Sequence, residues 1–189
     1  IKTFFMTRQV IYISGTPCTG KTTITNELEK IFNEIYCISI NEFAIGNNLV
    51  LGKDTNKVYK IIDIERLNEK LNIFIDNYIN SYNLIVVEGH LSHLCDGCDK
   101  CIVLRLNPRV LKERLEDRDY SDEKILENIE AEVLDVCSVE AYEKHKDNVC
   151  EIDTSSKSVD DVLKLVIDVI LDKRVFPVGN VSFIDYLLE

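Results

Sequence analysis

Residues 15–22 read Gly15-Thr16-Pro17-Cys18-Thr19-Gly20-Lys21-Thr22 and meet the pattern G-x-x-x-x-G-K-[ST] at every position. The flanks decide how that match is read. Upstream, Gln9–Ser14 is a short apolar run suited to a buried strand; downstream, residues 21–32 set Ile24, Leu28, Ile31 and Phe32 on one helical face. A strand, a glycine turn and an amphipathic helix aim backbone N–H groups at one point, where the helix N-terminus favours an anion. Gly15 and Cys18 contribute to that amide cradle, and Gly20 permits a conformation and a close approach that a side chain would obstruct. Lys21 carries charge to the β- and γ-phosphates of a nucleotide, the Thr22 hydroxyl is a Mg²⁺ ligand, and Thr23 supports the α-phosphate. The expected cofactors are therefore ATP and Mg²⁺.

Outward from the loop, apolar strands and helical stretches alternate. Strands are expected at 35–40, Leu84–Glu88, 101–106 and Val149–Asp153, with a short helix from Asn41 and a strong one over 64–79. Residues 49–59 give no clear period. Asn107-Pro108 opens one helix, with Asn as cap and Pro in the first turn. Ser121 caps another, carrying Ile125, Ile129, Val133 and Cys137 along one face, and Ser158 caps a last helix to about Asp172. Five apolar strands separated by helices predict an α/β protein of P-loop NTPase fold, a three-layer α/β/α sandwich around a five-stranded parallel sheet. The 189 residues fit one domain, 1–189, and three prolines and seven glycines leave no linker to divide it. The tail, 174–189, ends in Phe183, Tyr186, Leu187 and Leu188 and is expected to pack on the domain or await a partner.

Bulk properties narrow the partners. A net charge of −11 argues against direct, sequence-independent nucleic-acid binding and suits a basic protein partner. The opening Ile1-Lys2-Thr3-Phe4-Phe5 is shorter than a signal peptide, and no apolar run approaches the about 18 residues of a membrane span, so the expectation is a cytoplasmic protein with no membrane segment. Seven cysteines, an odd number scattered through an α/β pattern, read as reduced thiols.

Further candidates lie where strands end, since ligands of open parallel sheets sit at the carboxyl edge. Glu88 closes an apolar strand and is the candidate second Mg²⁺ ligand, direct or through water. His90 follows in Glu88-Gly89-His90-Leu91-Ser92-His93, where it can meet phosphate or water, or simply bond to loop backbone; His93 is the weaker candidate. Arg118 stands at a hinge before the Ser121 cap, as an arginine in a lid would, with Arg114 one turn earlier and Arg105 at a strand end. Cys95-x-x-Cys98-x-x-Cys101 has zinc-like and cluster-like spacing. Cys101, however, begins a buried strand and no second pair closes a site, so these thiols are expected to pack as small hydrophobes.

Taken together, the loop Gly15–Thr23, Glu88-x-His90, Val103-Leu104-Arg105 and Arg114-Leu115-Glu116-x-Arg118-x-Tyr120 running into Asp122-Glu123-Lys124 make the chain similar to the adenylate kinase isoenzyme six family, including its archaeal members. Asn128 and Glu132 fit the family's next helix, and the likeness runs from about Gln9 into the last helix. The resemblance implies phosphate transfer from ATP to nucleoside monophosphates such as AMP, ATPase activity, and help in small ribosomal subunit maturation through a basic ribosomal protein. It also implies a monophosphate-binding segment over about 39–62 and a short lid over about 117–127. Lys21, Glu88, His90 and Arg118 would be catalytic, Arg118 would also bind nucleotide, and Thr22 and Glu88 would hold the metal. Three positions depart: Cys18 stands where glycine is common, Glu88 where some members have aspartate, and Ile45 where an arginine is expected. Two alternatives remain, an ATPase switch for ribosome assembly and a P-loop kinase of another small metabolite.

Overall fold

The computed structural model describes residues 8–53 and 60–188. The first strand, β1 (Gln9–Ser14), leads through the glycine loop into α1 (Lys21–Ile31), followed by β2 (Ile35–Ser39) and α2 (Ile40–Gly46). A small hairpin, β3 (Val50–Lys53) and β4 (Lys60–Ile62), precedes α3 (Ile64–Tyr78) and β5 (Leu84–Glu88). Then come β6 (Lys100–Arg105), α4 (Pro108–Glu116), α5 (Asp122–Val133), α6 (Val136–His145), β7 (Val149–Asp153) and α7 (Val159–Ile170).

Strands pair in the order β2-β5-β1-β6-β7, every pair parallel. Alternation along each strand explains the three layers. Val10 and Tyr12 of β1 face one core with Leu67, Leu71 and Ile75 of α3 and Ala141 of α6. Ile11 and Ile13 face the other, with Ile24 and Leu28 of α1 and Val162, Val166 and Val169 of α7. Because side chains alternate with period two, five such strands bury both faces and need helices on each. A third apolar cluster, Leu106, Leu111, Leu115, Ile125, Ile129 and Val133, joins α4 to α5 beyond the carboxyl edge of the sheet.

Caps fall where the side chains dictate. Asn107 accepts from the Arg109 N–H and Ser121 from that of Lys124, and Ser158 forms a capping box with Asp161. The helix expected to run from Ser121 past Cys137 is instead two: Asp135 adopts φ 56°, which ends α5 and starts α6, so Cys137 lies in the second helix. The aperiodic stretch contains β3, which pairs antiparallel with β4 just beyond it. Residues 54–59 of the expected monophosphate-binding segment, and the opening residues 1–5, lie outside the described residues.

The tail packs in cis. Phe176 O accepts from the Glu151 N–H of edge strand β7 at 2.8 Å, Phe183 stacks on Arg105, and Tyr186 packs against the α4–α5 cluster. Among the described residues no helix is long and apolar enough to cross a membrane.

Candidate active site

The loop between β1 and α1 is held open by three residues of positive φ: Gly15 at 131°, Cys18 at 69° and Gly20 at 104°. Gly15 has no alternative, since a Cβ there would lie 2.3 Å from the Leu104 carbonyl oxygen of β6. Gly20 bears out the conformational part of the expectation through its φ of 104°, while a Cβ there would meet nothing within 4 Å among the described residues. Cys18 adopts the left-handed region where glycine is common, a strain of about 1–2 kcal/mol. Arg114 offsets part of that by donating from Nη1 to the Cys18 carbonyl at 3.1 Å.

Inside the loop Lys21 is buried, and its ammonium donates to the carbonyls of Gly15 and Thr16, each at 2.8 Å. Burial lowers its pKa, with Cys137 and then Glu88 pulling the other way. The ammonium is thus poised on neutral carbonyls, not neutralised by a bonded carboxylate. Thr22 Oγ1 donates to Glu88 Oε2 at 3.2 Å, which joins the first turn of α1 to the end of β5. Glu88 lies level with Ile13 on one side and Ser39 on the other, in the middle of the sheet's carboxyl edge. A cavity of about 330 Å³ opens beside the loop, between Thr23 and Ile24 of α1 and Lys157 and Val162 of the following loop and α7, with Arg114 and Arg118 on its rim. An exposed Arg118 in the turn after α4, which ends at Glu116, leaves its charge free to reorient over that cavity.

The two histidines differ in how they are held. His93 is fixed: Nδ1 lies 2.6 Å from Ser14 Oγ and Nε2 2.9 Å from Glu140. One neutral tautomer satisfies both contacts, with Ser14 donating to Nδ1 and Nε2–H donating to Glu140; burial lowers the ring's pKa accordingly. His90 is half-buried, and its pKa falls to about 4 through burial first and then the nearby Lys21 charge, so it is neutral at pH 7.

Arg105 is fully buried and bonds through Nε to Glu132 Oε1 at 2.8 Å, through Nη2 to the Glu132 carbonyl at 2.8 Å, and also to Glu151 and Asp135. Burial opposes its charge, but Glu132, Asp135 and Glu151 overcome that and raise its pKa. It is therefore a structural cation away from the cavity. Cys95 and Cys101 are buried and Cys98 Sγ lies 3.4 Å from His145 Nδ1; burial raises the Cys95 and Cys98 thiols to about 12. Sequence reasoning did not assign Lys157 or Thr16 to the site. Lys157 could have been suspected from its place just beyond the last strand's carboxyl end. For Thr16 the signal is indirect: Glu132 is a carboxylate on the apolar face of α5, and its Oε2 accepts the Thr16 hydroxyl.

The comparisons with known proteins agree with this architecture. A family model described as AAA domain matches residues 11–135. A protein of Methanothermobacter thermautotrophicus named "Putative adenylate kinase" is 44% identical over 179 residues, covering 95% of this chain and 99% of the relative. The chain belongs to this archaeal-type adenylate kinase family. Similarity of fold reaches beyond the family. Thymidylate kinase of Candida albicans superposes with a TM-score of 0.55 at 16% identity, covering 87% of this chain and 91% of that one. Shikimate kinase of Acinetobacter baumannii gives 0.60 at 12%, covering 90% and 97%. One fold thus serves enzymes named for a nucleotide and for a non-nucleotide substrate, so it does not choose the acceptor.

Proposed function

We propose that the chain is an ATP-dependent nucleoside monophosphate kinase of adenylate kinase type, which carries the γ-phosphate of ATP to AMP or another monophosphate. The observation that carries the reading is the constellation at one strand edge: a glycine loop enclosing Lys21, beside a Thr22–Glu88 pair 3.2 Å apart. In this reading Lys21 leaves the Gly15 and Thr16 carbonyls for the β- and γ-phosphate oxygens, an exchange of neutral for anionic acceptors that a buried ammonium favours. The amides of the loop, including Gly15, Cys18 and Gly20, hold the triphosphate, Thr23 supports the α-phosphate, and the nucleoside enters the cavity toward Lys157. The hydroxyl of Thr22 and the carboxylate of Glu88 are hard oxygen donors and fit Mg²⁺; when bound the ion would neutralise charge on the phosphates.

The acceptor's phosphate oxygen bonds to the γ-phosphorus as the bridging oxygen leaves with ADP. Arg118, carried on a lid of about 117–127, neutralises the equatorial oxygens and helps exclude water. A neutral His90 can donate or accept one hydrogen bond beside Lys21 without adding charge. The segment 39–62 would hold the monophosphate. Leu51 and Ile61 of its hairpin are exposed, as is Ile45, and they offer apolar surface to a base in place of the missing arginine.

A second reading, ATPase activity coupled to a basic ribosomal protein in small-subunit maturation, is favoured by the net charge of −11. The test is a phosphotransfer screen with Mg²⁺ and ATP across all nucleoside monophosphates, with a no-acceptor control. Rapid ADP formation dependent on AMP or another monophosphate supports the kinase. Slow acceptor-independent hydrolysis, accelerated by a ribosomal protein, supports the switch. Transfer only to a non-nucleotide metabolite refutes both.

A further inference from the structure

The buried arginine cluster and the docked tail share one carboxylate, and that arrangement reaches the phosphate loop. Glu151 Oε2 accepts the Gly179 and Val181 backbone N–H groups at 3.0 and 3.3 Å, while its Oε1 accepts from Arg105 and, at 2.7 Å, from Ser138 Oγ. Phe183 of the tail lies 5.3 Å from the Arg105 guanidinium, ring centre to charge. Arg105 in turn holds Glu132, whose Oε1 also accepts the Leu106 N–H at 2.9 Å and whose Oε2 accepts the Thr16 hydroxyl. Thr16 O is one of the two carbonyls on which Lys21 rests, and it also accepts from Thr19 Oγ1 at 2.9 Å. A continuous run of charge-assisted bonds therefore leads from the tail amides, where it is partly exposed, through the buried Glu151, Arg105 and Glu132 to the loop.

We propose that Glu132 is the positioning residue of the phosphate loop, and that the C-terminal tail holds Glu132 in place through Glu151 and Arg105. Every oxygen of Glu132 named here is engaged, so the carboxylate cannot shift without breaking a bond in a low-dielectric site. Loop geometry is then sensitive to whether the tail is seated. Linkage requires the reverse as well: a nucleotide that fixes the loop must tighten the tail. The inference rests on the loop being the nucleotide site, not on which acceptor takes the phosphate.

The test compares Thr16→Val, Thr16→Ser, Glu132→Gln, Gly179→Pro and Val181→Pro, reading Mg·ATP affinity with a fluorescent ATP analogue, melting temperature, and amide exchange of the tail. Thr16→Val is nearly isosteric and folds even if Glu132→Gln does not. Loss of one charge-assisted bond should weaken ATP binding about tenfold or more, with Thr16→Ser restoring it to within about threefold. Val181→Pro deletes one tail N–H, and Gly179→Pro, at a φ of 94° that proline cannot adopt, deletes the other and also unseats the tail turn; both should weaken binding in the same direction. Added ATP should slow exchange at Gly179 and Val181 in the parent chain, and far less in Thr16→Val.

A Thr16→Val protein that melts lower yet binds ATP with unchanged affinity overturns the positioning role. Unchanged affinity in both proline variants overturns the part given to the tail. A parent chain that binds ATP but phosphorylates no monophosphate defeats the proposed function and leaves this test readable.

Discussion

Replacing Lys21 with methionine should separate folding, nearly unchanged, from nucleotide binding, nearly lost. In the folded chain the ammonium is buried against two carbonyls at 2.8 Å, and no bond to it from a carboxylate is found among the described residues. Two bonds from a charged donor are worth about 1.5–3 kcal/mol each. Against them stands the desolvation of an ammonium, several kcal/mol by itself, which is the cause of its lowered pKa. These terms nearly cancel, so Lys21→Met should alter stability by no more than about 1 kcal/mol, or roughly 2–4 °C in melting temperature. Ligand binding should respond quite differently. With Mg·ATP at about one hundred times Kd, the parent chain gains about 2.7 kcal/mol, which is roughly 5–10 °C. The variant, having lost the Lys21 cation inside the loop, should show almost no shift. Thermal melts with and without Mg·ATP measure both quantities at once. An ATP-induced shift in Lys21→Met equal to that of the parent would refute the account of this loop. A large drop in the ligand-free melting temperature would show that the two carbonyl bonds outweigh desolvation.

Three other outcomes are expected. Gly15→Ala must move either the loop or the Leu104 carbonyl, because its Cβ would sit 2.3 Å from that oxygen at φ 131°. A loss of about 3 kcal/mol is expected, seen as a melting temperature roughly 6–12 °C lower with little ATP binding left; normal melting would contradict the close approach. Arg118→Ala should lower phosphotransfer by about a thousandfold or more while the melting temperature holds, since the side chain is exposed; an unchanged rate would remove it from the lid. The pKa of His90 is depressed from 6.5 to about 4, so the fold favours its neutral form. Its stabilising contribution is present above pH 6.5 and is lost as the pH falls toward 4, by about 3 kcal/mol at about 1.4 kcal/mol per unit. His93 and His145 shift in the same direction. Urea titrations between pH 7.5 and 4 should show the loss reduced in His90→Gln, and parallel curves would refute it.

Much was legible in the chain because the relevant signals are local. The pattern over residues 15–22, the alternation in β1 and β5, and the Asn107, Ser121 and Ser158 caps depend on neighbours a few positions away, and each of these elements starts within a residue or two of its expected place. So the sequence by itself determined the sandwich, the loop, and the placing of Glu88 at the strand edge, because backbone periodicity and turn chemistry act over one or two helical turns. The break at Asp135 was not legible, since a φ of 56° at a non-glycine residue depends on surroundings, and here Arg105, from elsewhere in the chain, donates to the Asp135 carboxylate. Likewise Arg105, at a strand end, stood as a weaker phosphate candidate beside Arg118 at its hinge. Only the tertiary structure shows Arg105 committed elsewhere, by converging Glu132 and Glu151, 27 and 46 positions further along the chain, on it while leaving Arg118 in solvent. The physical reason is that a charge's role depends on which opposite charges share its low-dielectric surroundings, and those surroundings are assembled by packing across the sheet edge.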